Sequence, residues 1–198
     1  DEARKEIQSM KNDSGQTTLN GQFLVSTPDL KDGVFDSALV LMCEHGESGA
    51  MGFIVNKTTE FSVQEIFEQL GLESADSLDP DVPVMTGGPV EPQRGFLLSN
   101  HPITEDVVEV LNGLYLASSP EVLPLATNAL NQGDAIFILG YSGWSEGQLE
   151  SEMAANTWIN VPWNSDVIFQ IPTTDRQRAA LAQLGIDPIQ LAQGAGHA

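Results

Sequence analysis

Runs of apolar residues separated by turn residues predict several β-strands along the chain. The run at 37–43 is almost unbroken, which is typical of a strand covered on both faces. The turn at 45–49 and the apolar run at 51–55 then predict a β-hairpin. Further strands are predicted at 19–25, 82–85, 95–98, 114–117 and 167–171.

Polar caps followed by apolar residues at helical spacing predict the helices. Ser62 and Glu65 have the spacing of a capping box, and Gly71 stands where the helix would end. Further helices are predicted at 119–130, 174–184 and 188–192. Because hairpins occur beside strand–helix–strand crossovers, the fold class is predicted to be α/β in the mixed α+β sense, with helices packed around a mixed sheet.

The segment 140–144, Gly-Tyr-Ser-Gly-Trp, joins a predicted strand to a predicted helix. The apolar run at 135–139 predicts a buried strand that stops at Gly140, and Ser145 with Gln148 predicts a capped helix that reaches 156. Helix N-termini collect unpaired N–H groups, so such junctions are favoured places for ligands.

Charge limits the classes of partner. The chain carries 28 acidic and 8 basic residues, for a net charge of −20. Binding to phosphates needs clustered Lys and Arg, so direct binding to nucleic acid is not expected. No apolar stretch reaches the roughly 18 residues that a membrane span requires, and the polar segment 1–18 is predicted to be a disordered tail. A single cysteine excludes an internal disulfide and suits a reducing cytoplasm.

Cys43 and His45 are the candidates for catalysis. At i and i+2 of an extended strand, both side chains would project from one face, where imidazole could activate a thiolate as a nucleophile or redox sensor. The alternative is a small buried side chain beside a turn histidine. Since His101 and His197 are distant in sequence, no metal site is predicted, and no cofactor is expected.

Nine ordered segments resemble the bacterial YqgE/AlgH family over about 19–198. They are 21–28 (GQFLVSTP), 41–45 (LMCEH), 49–56 (GAMGFIVN), 87–90 (GGPV), 94–96 (RGF), 139–144 (LGYSGW), 147–150 (GQLE), 156–158 (NTW) and 195–198 (AGHA). The resemblance implies one domain at 19–198 with a bifurcated mixed sheet around a small barrel-like core, in a cytoplasmic bacterial protein. Members are often labelled as transcriptional regulators, but the resemblance implies no particular reaction. Where the family pattern places a histidine after the RGF segment, this chain has Ser99, with His101 two positions on.

Glycines, aromatic residues and neutral polar residues of these segments could form a composite pocket for a small anionic or planar ligand. Its candidate residues are Asn56, Gly87, Gly88, Arg94, Tyr141, Trp144, Gln148, Glu152, Asn156 and Trp158. Arg94 would supply the positive charge, the aromatic rings would stack, and the amides would hydrogen-bond. The alternative assigns the glycines to turns, the tryptophans to the core and Arg94 to an ion pair.

The function expected from these observations is that of a non-enzymatic binding or regulatory protein. It would act through a small molecule or a protein partner and affect transcription indirectly, because its charge disfavours contact with DNA. The alternatives are a thiol-based enzyme or redox sensor that uses Cys43 with His45, and a structural or assembly factor in which no pocket has a function.

Overall fold

The computed structural model describes residues 19–28 and 33–187. The predicted tail at 1–18, the predicted helical turn at 188–192 and His197 lie outside these residues. Among the described residues, none of the helices has the length and apolarity needed to cross a membrane.

The described residues form ten strands and five α-helices. The strands are β1 (Gln22–Ser26), β2 (Leu39–Gly46), β3 (Gly49–Ile54), β4 (Thr58–Ser62), β5 (Pro83–Thr86), β6 (Val90–Ser99), β7 (Val108–Leu111), β8 (Leu114–Ala117), β9 (Ala135–Trp144) and β10 (Trp158–Pro162). The helices are α1 (Val63–Gln69), α2 (Thr127–Gln132), α3 (Gln148–Ala154), α4 (Ser165–Phe169) and α5 (Arg176–Ala182). Short 3-10 helices occupy Glu73–Ser77, Pro120–Leu125 and Thr173–Asp175.

The strands form a curled, half-barrel mixed sheet in the order β10-β1-β2-β3-β9-β6-β8-β7, with β4 and β5 as a branch. The two ends of this order approach each other: Trp163, which follows β10, donates a hydrogen bond to the carbonyl oxygen of Asn112 in the β7–β8 turn. The predicted mixed α+β class with a bifurcated sheet is therefore confirmed.

Strand β9 is the point where the sheet divides. Its first half pairs antiparallel with β6 and parallel with β5, and its last residues, 142–144, pair with β3. The prediction that this strand stops at Gly140 is wrong, because the chain continues as a strand beyond the glycine and takes a new partner. Helix α3 begins only at Gln148.

Within the part of the chain that the structure describes, three apolar clusters flank the sheet. One packs alternate residues of β1, β2 and β3 against α4 and α5. A second packs α1, α2 and the 3-10 helix at Pro120–Leu125 against β6 and β9. The third joins the opposite face of β1–β3 to α3 and to the side chains of Phe35, Trp144 and Trp158.

Two local predictions have different outcomes. The capping box is confirmed: Ser62 Oγ accepts from the Glu65 N–H, and Glu65 accepts from the Ser62 N–H. The strand predicted at 167–171 is wrong, since residues 167–169 belong to α4, where Asn164 Oδ1 accepts the Asp166 N–H at 3.0 Å as an N-cap. An apolar run this short does not distinguish a buried strand from a buried helix.

Candidate functional site

A β-bulge separates Cys43 from His45. Met42 pairs with Gly52 and Glu44 pairs with Met51, so Cys43 is the extra residue on β2. An inserted residue reverses the alternation of side chains beyond it. The prediction that Cys43 and His45 share one face of the strand is therefore wrong.

The surroundings of the two side chains agree with the bulge. Cys43 packs in the cluster that contains Leu41 and Phe53. His45 instead pairs with Ala50, which packs in the cluster of Trp144 on the opposite face. Since directly paired residues of antiparallel strands point to the same face, the imidazole lies away from the thiol.

His45 links β2 to α3. Its Nδ1 accepts the Leu19 N–H at 2.9 Å, so Nε2 carries the proton that is donated to Glu150 Oε1 at 2.5 Å. This hydrogen bond lowers the pKa of the Glu150 carboxyl below its usual value. Both ring nitrogens are engaged, so the imidazole acts as a structural connection between the strand and the helix.

The Cys43 thiol lies inside the core, with 6% of the residue exposed. Burial raises the pKa of this thiol, and the neighbouring charge of Glu44 raises it further. A thiol in such an environment stays protonated at neutral pH, whereas the thiolate is the nucleophile.

Iodoacetamide is therefore expected to alkylate Cys43 much more slowly in the native protein than in the same protein unfolded in urea. Burial excludes the reagent and keeps the sulfur protonated. Intact-mass spectrometry over time measures both rates. A native rate equal to or above the unfolded rate would contradict this and favour an activated thiolate.

The candidate residues near α3 hold that helix against the sheet. Trp144 Nε1 donates to Glu152 Oε2 at 2.8 Å. Gln148 Oε1 accepts the Ser145 N–H at 3.0 Å. Asn156 has a φ of 57° just beyond the helix, and Trp158 is buried edge-on against Trp144. These contacts give Trp144, Gln148 and Glu152 a structural role, whereas the buried Trp158 Nε1 has no hydrogen-bond partner among the described residues.

Gly87 and Gly88 lie where β9 changes partner. The Gly87 carbonyl oxygen accepts the Ile54 N–H and the Ser142 hydroxyl, each at 2.9 Å. A Cβ on Gly88 would meet the Tyr141 carbonyl oxygen at 2.3 Å. The two glycines thus let this segment bridge β3 and β9 by backbone contact.

The remaining candidates are also engaged. Arg94 forms an ion pair with Glu91 at 3.1 Å and lies 5.1 Å from the centre of the Phe96 ring, which Tyr141 contacts edge-on. The Asn56 amide accepts the Leu39 N–H and donates to the Ser37 carbonyl oxygen. The ten candidates therefore divide into a group at α3, a group at β6 and β9, and Asn56 by itself.

A cavity of about 410 Å³ opens beside α5, at a place that the sequence did not indicate. Arg176 lines it and is 7% exposed. Apolar residues form much of its lining: Met85, Leu130, Ile136, Ile168, Phe169 and Pro172. Other cavities, of about 590 and 440 Å³, lie beside β7 and β8. Among the described residues that line these three cavities, none is a candidate chosen from the sequence.

The Arg176 guanidinium is held by backbone oxygens. Nη1 donates to the Val55 carbonyl oxygen at 2.7 Å and Nε to the Ile171 carbonyl oxygen at 3.1 Å. Within 19–28 and 33–187, no carboxylate forms an ion pair with it. Burial lowers the pKa of Arg176 to about 10, so the cation is partly desolvated yet still charged at neutral pH.

The buried face of α5 is the signal that could have identified Arg176. The helix buries Arg176, Ala180 and Leu181, whereas Arg178 is exposed. A spacing of four residues from Arg176 to Ala180 places both on one face of a helix. A count of charged residues along the chain does not distinguish the buried Arg176 from the exposed Arg178.

Comparison with known proteins gives a consistent result over most of the chain. The sequence profile described as AlgH-like matches residues 23–189. A UPF0301 protein of Bordetella petrii is 38% identical over 187 residues, which cover 94% of this chain and 93% of the relative. A UPF0301 protein of Neisseria gonorrhoeae is 40% identical over 182 residues, which cover 91% and 99%.

Two solved structures are similar to this chain over most of its length. The solution structure of AlgH from Pseudomonas aeruginosa matches with a TM-score of 0.70 at 33% identity, covering 94% of this chain and all of that one. The crystal structure of protein DIP2367 from Corynebacterium diphtheriae matches with a TM-score of 0.63 at 18% identity, covering 87% and 88%, which shows a shared fold. The chain therefore belongs to the AlgH-like family of UPF0301 proteins.

Proposed function

We propose that this protein is a non-enzymatic binding protein of the bacterial cytoplasm, and that it holds a small molecule in the cavity beside α5. The observation that carries the proposal is the buried Arg176 cation, which lines a cavity of about 410 Å³ and has only backbone carbonyl partners among the described residues. A buried charge without a counter-charge is costly, so residues of this kind mark binding sites more often than surface charges do.

Any regulatory effect on transcription would then be indirect, through the bound molecule or a protein partner. The cations in the described residues are few and mostly engaged: Lys57 donates to the Val34 carbonyl oxygen, Arg94 pairs with Glu91, and Arg176 is buried. With a net charge of −20, the chain would repel a phosphate backbone.

The alternative of thiol chemistry receives no support from the positions of Cys43 and His45. The thiol is buried in one cluster, and the imidazole is engaged by Leu19 and Glu150 on the other face. The binding function depends on neither side chain.

Native mass spectrometry of the protein purified from bacterial cytoplasm tests the binding function. The wild type is expected to carry a small molecule that denaturation releases, and Arg176→Gln is expected to lose it. Arg178→Gln is the matched control, because it removes the same charge from an exposed position of the same helix. Equal retention by both variants would contradict the assignment of the cavity, and a wild type without any bound molecule would favour a structural role.

A further inference from the structure

We infer that the cavity beside α5 selects a monoanionic carboxylate with a compact apolar group, an inference that rests on the proposed binding function. Three features of the site indicate this class of ligand: unused donors on a buried guanidinium, an apolar lining, and two exposed carboxylates in that lining.

Arg176 keeps hydrogen-bond donors for a ligand. A guanidinium carries five N–H groups, and two of these donate to the Val55 and Ile171 carbonyl oxygens. Three N–H groups remain, one on Nη1 and two on Nη2. Groups on these two nitrogens match the paired oxygens of a carboxylate, which is the geometry that arginine binds best.

The charge of the site also favours one anionic group. Carbonyl oxygens accept hydrogen bonds from the guanidinium but do not neutralise its positive charge. No carboxylate of the described residues forms an ion pair with it. An anion bound there would supply the missing counter-charge in a partly desolvated place, where a charge-assisted hydrogen bond is strong.

Residues around the cavity disfavour a ligand that carries more than one negative charge. Arg176 is the one cation among the described residues that line this cavity, and the exposed Asp79 and Asp81 also line it. A phosphate dianion or a dicarboxylate would place a second charge near these carboxylates without a second cation to balance it.

The wall of the cavity indicates the chemistry of the uncharged part of the ligand. Ile136, Phe169, Ile171 and Pro172 line the cavity together with Arg176 and keep some exposed surface. A pocket of this size and polarity suits a small organic acid whose hydrocarbon part packs against these side chains while its carboxylate reaches Arg176.

Phenylacetate and phenylacetamide form a matched pair of probes, because they have the same shape and differ in the charge of one group. Titration of each into isotope-labelled protein, followed by amide NMR signals, is expected to show saturable shifts at Gly133, Phe169 and Thr173, which line the cavity. The acid should bind at least about tenfold more tightly than the amide. Arg176→Gln should lose the preference for the acid, and Arg178→Gln should keep it.

The outcomes separate the ligand class from the binding function. Equal affinity for acid and amide would overturn the carboxylate assignment while leaving a binding cavity. Preferential binding of inorganic phosphate would overturn the monoanion assignment in the same way. If neither probe gives saturable shifts at millimolar concentration, the inference is wrong, and native mass spectrometry then decides the binding function alone. The acid–amide comparison uses the wild type, so it stands even where an Arg176 variant does not fold.

Discussion

Gly140→Ala is expected to lower the free energy of unfolding by about 3 kcal/mol, because it combines backbone strain with a steric clash. Gly140 has a φ of 75°, in the left-handed region that favours glycine. A Cβ there would lie 2.6 Å from the Gly88 carbonyl oxygen and 3.2 Å from the Val90 carbonyl oxygen. Both neighbours are backbone atoms at the point where β9 changes partners, so relief requires a shift of the strands themselves.

Gly147→Ala is the matched control. Gly147 has a φ of 73°, close to that of Gly140, but a Cβ there would meet no atom within 4 Å. Its substitution should cost only the backbone strain, about 1 kcal/mol. Urea denaturation of the two variants and the wild type measures the difference, and equal losses would show that the close approach at Gly140 contributes nothing.

This contrast explains the role of the segment 140–144. Its glycines and aromatic residues predict a junction between a strand and a helix, a place that favours ligands at the helix N-terminus. The structure uses Gly140 to let β9 pass the 87–88 segment and join β3. In this chain the segment therefore has a structural role, because β9 passes the 87–88 segment at Gly140 before it joins β3.

Features that depend on neighbouring residues could be predicted from the sequence. The capping box of Ser62 and Glu65 needs only a spacing of three residues, and β8 at Leu114–Ala117 is bounded by residues typical of turns. The β2–β3 hairpin is similarly local. Such elements are fixed by hydrogen bonds and periodicity within a short segment.

Features that depend on distant partners could not be predicted from the sequence. The bulge at Cys43 arises from the pairing of β2 with β3 and reverses the side on which His45 lies. The continuation of β9 past Gly140 requires β3 as a second partner. The burial of Arg176 depends on oxygens at Val55 and Ile171, one of them more than a hundred residues away. The spacing of Arg176 and Ala180 indicates that they share a helix face, but residue type and spacing do not reveal the bulge, the second partner of β9 or the oxygens that hold the cation.

Arg176→Met should reveal how far the cation stabilises the fold by itself, and we expect a loss of about 2 kcal/mol in the free energy of unfolding. Val55 is fully buried, and its carbonyl oxygen would lose a donor at 2.7 Å, while Ile171 would lose the second bond. Removal of a buried charge offsets part of this loss, since desolvation of the guanidinium no longer opposes folding. Methionine retains an unbranched apolar side chain, so packing changes little.

Arg178→Met, at an exposed position of the same helix, should change the free energy of unfolding by less than about 0.5 kcal/mol. Urea denaturation with and without phenylacetate then separates the two roles of Arg176. A ligand that binds only the native state raises its stability by an amount set by concentration and affinity. Phenylacetate should therefore stabilise the wild type and Arg178→Met but not Arg176→Met. If Arg176→Met unfolds like the wild type without ligand and still responds to phenylacetate, the buried cation neither supports the fold nor binds the acid, and the assignment of this cavity fails.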